Sequence, residues 1–319
     1  MGLPPIPAPE GGPLTKETIA LGEKLFFSTL LSVDRTLSCA HCHDPLKGFA
    51  DGQQHSTGVW GKKGIRNAPS VRNAAYNVLQ FWDGRAGSLE EQASGPVMNP
   101  IEMAHTVEGV EAAVNSDPEL RRMFVEAFGP APDPSKSPVS IERIAHAIAA
   151  YERTLLAADS PFDRFYYGKD SSALSPAARR GFDVFRNPRK GNCAVCHTVG
   201  EGYALFTDDK FHNLGVGVDP EGELTDLGRY TVTGVEGDQG RFRTPTLRNI
   251  AETAPYMHDG SLKTLKDVVD FYVGGGNWNP WRDELIRPLT HLTREERTDL
   301  VAFLESLTGV SPPEIVPKP

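Results

Sequence analysis

The sequence predicts an all-α protein of two helical, loop-rich domains, and three observations carry that expectation. Helical periodicities are strong, whereas the alternating pattern of strands is scarce. Glycine and proline, 31 and 26 residues of 319, punctuate long loops between the helical segments. A faint internal repeat pairs residues 21–27 (LGEKLFF) with residues 180–185 (RGFDVF), each carrying Gly-x-x-[Leu/Val]-Phe on a helical pattern. The length suits two domains of ordinary size. The boundary is placed near 159–163, giving domains 1–158 and 159–319.

The elements follow from caps and periods. The opening MGLPPIPAPEGGP reads as the extended lead-in of a processed protein. The first repeat unit then forms a helix. The first half closes with SIERIAHAIAAYERTLL, in which Ile141, Ile144, Ala145, Ile148 and Leu155 recur at helical spacing. Ser175 before Pro176 supplies an N-cap and a proline at the first helical position. Thr264, followed three residues later by Asp267, opens TLKDVVDFY, which stops at Gly274-Gly275-Gly276. The last helix, TREERTDLVAFLESLTG, has a capping box in Thr293 and Glu296, with Gly309 expected just past its end at C′.

Composition removes several function classes. Hydrophobic residues make up 39% and charged residues 24%, a globular profile. No apolar run is long enough to cross a bilayer. The net charge is −9 with no block of lysine and arginine, which argues against nucleic acid, because phosphate binding rests on clustered cations. A basic protein partner and plain solubility are both compatible with this charge.

The four cysteines fall in two clusters, CAHCH at 39–43 and CAVCH at 193–197. A disulfide within each Cys-x-x-Cys suits a thioredoxin-like site, but the βαβ pattern that site needs is missing. A zinc held by all four thiols needs knuckles tens of residues apart at most, and these are far more widely separated. Neither reading explains the histidine that follows each pair. Covalent haem does. Two thiols on one helical turn reach the two vinyl groups of a porphyrin, and the next histidine binds iron axially. The cofactor-binding residues are therefore Cys39, Cys42 and His43, and Cys193, Cys196 and His197. The protein carries two haem c groups, with His43 and His197 as proximal ligands. Haem attached in this way points to an oxidising compartment, the bacterial periplasm.

What each iron does depends on its sixth position. Here the sequence resembles the bacterial di-haem cytochrome c peroxidases and, more closely, the MauG-like di-haem enzymes. The resemblance spans nearly the whole chain. It is carried by RNAPSVRNAAY, LQFWDGRAGSLEEQASGPVMNPIEMA, FHNLG, RTPTLRNIAETAPYMHDGS and both haem motifs. It implies two cytochrome c-like domains, each with one covalently attached haem, the N-terminal one high-spin and reactive with hydrogen peroxide and the C-terminal one low-spin. The peroxide pocket would hold Gln92, Pro96 and Glu102, with Glu102 moving a proton between the peroxide oxygens. Peroxidases of the family plug this haem with a histidine in the loop before NAP. In this chain the matching position is Val59, which cannot bind iron, and His55 lies four residues earlier. A reactive haem without prior reduction is expected.

At the second haem the family's closing ligand is methionine in the peroxidases and tyrosine in the MauG-like enzymes, and the matching residue here is Tyr272. Leu265, Val268, Val269 and Tyr272 also share one helix face, so a packing role fits the same residue. Met257, His258 and His291 are rival ligands. A hard, anionic tyrosinate favours oxidised iron, and a methionine sulfur favours reduced iron. The resemblance further implies that Trp82 relays charge between the haems. It also implies that Asn67, Thr253 and Pro255 hold a calcium ion, the last two through backbone carbonyls. His258 and His212 fall in family motifs without an assigned role.

The implied function is a periplasmic, peroxide-dependent oxidase that forms high-valent iron and draws electrons from an aromatic side chain of a secreted partner protein. Relatives oxidise tryptophan in this way, forming a quinone cofactor or converting tryptophan to kynurenine in a copper-associated partner. A surface tryptophan before the second haem motif is replaced here by Gly191-Asn192, so the exit route differs. Trp60, Trp278 and Trp281 are other stations. Two alternatives stand beside this reading. One is a cytochrome c peroxidase fed by a small electron-transfer protein. The other is a haem carrier or redox sensor without turnover.

Overall fold

Thr15 caps the first helix in a box with Thr18, and from there the chain builds eleven α-helices among the described residues. The structure is a computed structural model describing residues 1–310 except 8, 10, 11, 13, 132 and 134. The end of the predicted second domain, 311–319, and parts of the lead-in lie outside the described residues. In chain order the helices are α1 (Lys16–Phe26), α2 (Cys39–Cys42), α3 (Leu89–Met98), α4 (Val107–Asn115), α5 (Pro118–Phe128) and α6 (Ile141–Glu152). They continue with α7 (Pro161–Tyr166), α8 (Pro176–Arg186), α9 (Tyr230–Thr233), α10 (Leu265–Gly274) and α11 (Arg294–Glu305). The only sheet among the described residues pairs β1 (Phe211–His212) with β2 (Phe242–Arg243), antiparallel.

The repeat read in the sequence has a packing cause. Gly22 lets α1 close onto α6, where an added Cβ would stand 1.8 Å from the Ala147 carbonyl oxygen. Gly181 does the same for α8 on α11, 1.9 Å from the Asp299 oxygen. Backbones this close admit only glycine. Around the first crossing lies a core that includes Leu21, Leu25, Phe26, Ile144 and Ile148. Around the second lies a separate core with Phe182, Phe185, Leu300 and Phe303, to which Phe162 of α7 also belongs. The mostly helical architecture is thus two copies of one device, two helices crossed at a glycine.

The predicted caps are present at α8, α10 and α11, with Ser175, Thr264 and Thr293 accepting from backbone N–H groups. Gly275 ends α10 at φ 84°. Gly309 is a correction. α11 ends at Glu305 with Ser306 as C-cap, and Gly309 lies beyond C′, where a Cβ would meet the Ala158 carbonyl oxygen at 2.3 Å. It serves a close approach to Ala158, which forms an isolated bridge with Val310, instead of a helix stop.

Several contacts join the two halves. Arg66 pairs with Asp83 (2.5 Å) and with Asp226 (2.7 Å). The Arg243 N–H donates to the Trp82 carbonyl at 2.8 Å, and the Asn67 N–H to the His258 carbonyl at 2.7 Å. Buried Arg248 donates to the Gly2 carbonyl, while within the second half it forks onto both oxygens of buried Asp163 at 2.9 Å.

Candidate active site

The two cysteine clusters are built alike. Cys39 and Cys42 share the single turn of α2, with His43 as its C-cap. Cys193 opens a tighter 3₁₀ turn, Cys193–Val195, and Cys196 and His197 follow. All four thiols are free, so the disulfide reading falls. Cys39 packs against the first core and Cys193 against the second, so one zinc cannot gather them.

Each histidine is fixed through its far nitrogen. His43 Nδ1 lies 3.3 Å from the Phe49 carbonyl oxygen, and His197 Nδ1 lies 2.8 Å from that of Phe206. A carbonyl only accepts, so Nδ1 carries the proton and Nε2 keeps its lone pair for a metal. Burial holds both imidazoles below their usual pKa, in the neutral form that ligation needs. Phe49 and Phe206 both have φ in the left-handed region, 58° and 54°. Bulky residues adopt that conformation at a cost. The same strained residue type thus aims the same carbonyl twice, and neither phenylalanine carries a sequence signal for it.

Beside His197 lies a cavity of about 630 Å³ lined by Cys193, Cys196 and His197 on one side. The face of α10 that the sequence reads as core, Leu265, Val268, Val269 and Tyr272, lines it too. A mostly apolar cavity with two thiols and a free imidazole nitrogen is what a covalently attached porphyrin requires, so the residues fit the group. All the proposed sixth ligands, Tyr272, Met257, His258 and His291, line this cavity. His258 is held through its ring face. It is buried, and its ring stacks on Phe242 at 3.5 Å between centroids, 12° between planes. Burial pushes the Tyr272 phenol well up, and the neighbouring thiols of Cys193 and Cys196 add to this.

The residues expected at the N-terminal haem lie on α3 and two loops. Gln92 and Pro96 stand one turn apart on α3, and Pro96 lacks the amide that would bond the Gln92 carbonyl. Glu102 follows in the loop and accepts a hydrogen bond on Oε1 from Asn99 Nδ2 at 2.8 Å. Burial raises the Glu102 pKa, opposed by Arg85 and by the Asn99 bond. Glu102 is also close enough to Cys42 for its charge to raise that thiol, which burial chiefly pushes up to about 11. Arg85 itself lies over the Phe81 ring at 3.5 Å and pairs with Asp83 at 3.0 Å. Val59 is fully buried, and its N–H donates to the Glu102 carbonyl at 2.8 Å. His55 is half-buried in the same loop.

Trp82 sits where the halves meet. Its Nε1 donates to the Asn67 carbonyl at 2.9 Å, and it lines the cavity beside His197 together with Asn67, Thr253 and Pro255. His212, left without a role by the sequence, is gripped by Asp283 (2.5 Å) and Asp208 (3.1 Å). Gly191 has no room for a side chain, since a Cβ there would stand 2.8 Å from the Val184 oxygen and 3.2 Å from Cys193 Sγ. Trp60 and Trp278 are largely exposed, 64% and 69%, and Trp281 is half-buried.

Residues 16–171 match the family model for di-haem cytochrome c peroxidase, and residues 178–308 match that for cytochrome c. Methylamine utilization protein MauG of Methylorubrum extorquens is 38% identical over 95% of this chain and 81% of its own. Cytochrome c peroxidase Ccp of Escherichia coli is 40% identical over 96% of this chain, which spans 61% of that protein. A solved MauG-like protein associated with microbial copper homeostasis superimposes with a TM-score of 0.84 at 34% identity, covering 96% of this chain and 93% of that one.

Proposed function

This chain belongs to the di-haem cytochrome c peroxidase and MauG family and is a c-type oxidoreductase with two haem c groups, and from that premise we propose that it is a peroxide-dependent oxidase of the MauG type. The reading places it in the periplasm, with the aromatic, tryptophan-like side chain of a secreted protein as electron donor. No helix among the described residues is long and apolar enough to cross a membrane.

The observation that carries this choice is the placement of Tyr272. It projects from the helical wall of the cavity beside His197, whereas its rival Met257 sits in a loop. A ligand on a helix is held more tightly than one on a loop. When bound, the haem pair supplies the chemistry that splits hydrogen peroxide and stores two oxidising equivalents. The protein's own part is to move protons and hold geometry. Glu102 takes a proton from the near oxygen of the peroxide and returns it to the far one, and Asn99 fixes its carboxylate for that transfer. Gln92 and Pro96 shape the wall facing it. Trp82 links the two halves as charge relay. Asn67, Thr253 and Pro255 are the proposed calcium ligands, an oxygen set that a hard cation accepts.

Met257 on the same cavity favours a second reading, a cytochrome c peroxidase fed by a small cytochrome. Ferric protein mixed with hydrogen peroxide separates the readings. A long-lived oxidised spectrum without donor supports the oxidase. Turnover only with reduced cytochrome supports the peroxidase, and no reaction leaves a carrier or sensor.

A further inference from the structure

Tyr166 ends α7 with its ring stacked on Phe162, 5.3 Å between centroids and 12° between planes. Phe162 lies 5.3 Å from Phe206, the residue whose carbonyl holds His197. A parallel route runs from Phe162 to Phe303 (5.6 Å) and on to Phe185 (4.8 Å), which lines the cavity beside His197. Packed rings therefore extend from the second haem site to Tyr166.

Tyr166 also lines a separate, open surface cavity of about 470 Å³, shared with Phe165, Phe182, Lys169, Arg179, Arg186 and one carboxylate, Asp183. Each cation lies over a ring: Arg179 over Phe165 at 5.1 Å, Arg186 over Phe182 at 5.2 Å, and Lys169 over Tyr166 at 5.5 Å. Asp183 neutralises Arg186 at 2.7 Å. Among the described residues no carboxylate pairs with Lys169 or Arg179, on a chain whose net charge is −9. Aromatic walls under two uncompensated cations suit a flat, anionic guest.

We propose that this cavity binds a small phenolic carboxylate as reductant and that Tyr166 passes its electrons inward. The inference rests on the peroxide-dependent reading above. Hydrogen peroxide takes up two electrons and two protons and leaves as two waters. Each electron comes from one bound phenol, which also releases its O–H proton and becomes a phenoxyl radical. Tyr166 gives one electron inward and its phenol proton to solvent, then regains both from the guest. The phenylalanines are not oxidised and serve as a close-packed medium. Tyr167 is the internal control. Its ring is 5.1 Å from that of Tyr166, but its hydroxyl donates to the Gly200 carbonyl at 3.0 Å and it does not line the cavity.

The test uses the protein loaded with both haems and 4-hydroxybenzoate as probe. Calorimetry should give a Kd raised about tenfold or more in Arg179→Gln and in Lys169→Gln, the loss of one charge-assisted contact. After peroxide without donor, electron paramagnetic resonance should show a tyrosyl signal that is lost in Tyr166→Phe and kept in Tyr167→Phe. Unchanged probe affinity in both charge variants overturns the binding site. A signal that survives Tyr166→Phe overturns the relay while the oxidase reading stands. If peroxide leaves the haem spectra unchanged, both the oxidase reading and the relay fall.

Discussion

The Val59 N–H donates to the Glu102 carbonyl at 2.8 Å, which ties the backbone of a fully buried valine to that of the proposed proton carrier. A Cβ at Gly58 would stand 1.9 Å from the Ile101 oxygen, so the two loops are pressed together at this point. The position proposed to match the family's plug falls in this loop, and valine cannot bind iron. Val59→His should therefore supply an imidazole to the first iron. A plug present about 99% of the time slows the peroxide reaction about 100-fold. Stopped-flow mixing of the ferric protein, with a low-spin signal at both haems, checks it. An unchanged rate with the signal of a single low-spin haem would count against the placement.

Glu102→Gln should lower the peroxide rate by about 10²–10⁴-fold, the usual worth of a positioned base. The amide keeps an oxygen for Asn99, so the fold is spared. Burial raises the Glu102 pKa above the ordinary value. Only the ionised form accepts a proton, so the native rate should fall as pH drops through that raised pKa. The variant should lose this limb. A limb of unchanged position in the variant would assign it to another group.

Gly22→Ala and Gly181→Ala each force a Cβ into a facing carbonyl. Each should destabilise its own domain by about 1–3 kcal/mol or more. Gly202 has no atom within 4 Å of its added Cβ, so Gly202→Ala should stay within about 0.5 kcal/mol. Thermal unfolding of the three haem-loaded variants reads this directly. Equal midpoints would show that the crossings have slack.

Asp163→Asn leaves the buried Arg248 guanidinium without its charge partner. Breaking such a pair costs about 3–5 kcal/mol. Denaturant unfolding should show the loss. Replacing both residues with Asp163→Leu and Arg248→Met should recover much of it. Failure of the double variant to recover would make the contacts with Gly2 and Ala204 the dominant ones.

What the sequence made legible was local. Thiols and histidine within five residues, a threonine three before its aspartate, and a glycine one turn before a phenylalanine all act over one helical turn, so their spacing is their chemistry. The cap at Thr264 and the stop at Gly275 follow from this. Gly309 misled because a glycine after a helix has two uses, and only the nearby Ala158 backbone reveals which one applies. The carbonyls of Phe49 and Phe206 were invisible, since phenylalanine is a poor residue for positive φ and tertiary packing imposes it. The pairing of Val59 with Glu102 joins segments far apart in the chain, where no periodicity reaches. The face of Leu265, Val268, Val269 and Tyr272 fits both roles at once, because apolar core positions there form the wall of a cofactor cavity.

Whether the Tyr272 oxygen binds the second iron is read from the ferric near-infrared and magnetic resonance spectra of the two-haem protein. Tyrosinate ligation should give no sulfur-to-iron charge-transfer band in the native protein, and a change of the low-spin signal in Tyr272→Phe with Met257→Leu silent. A sulfur band that disappears in Met257→Leu and ignores Tyr272→Phe would contradict it.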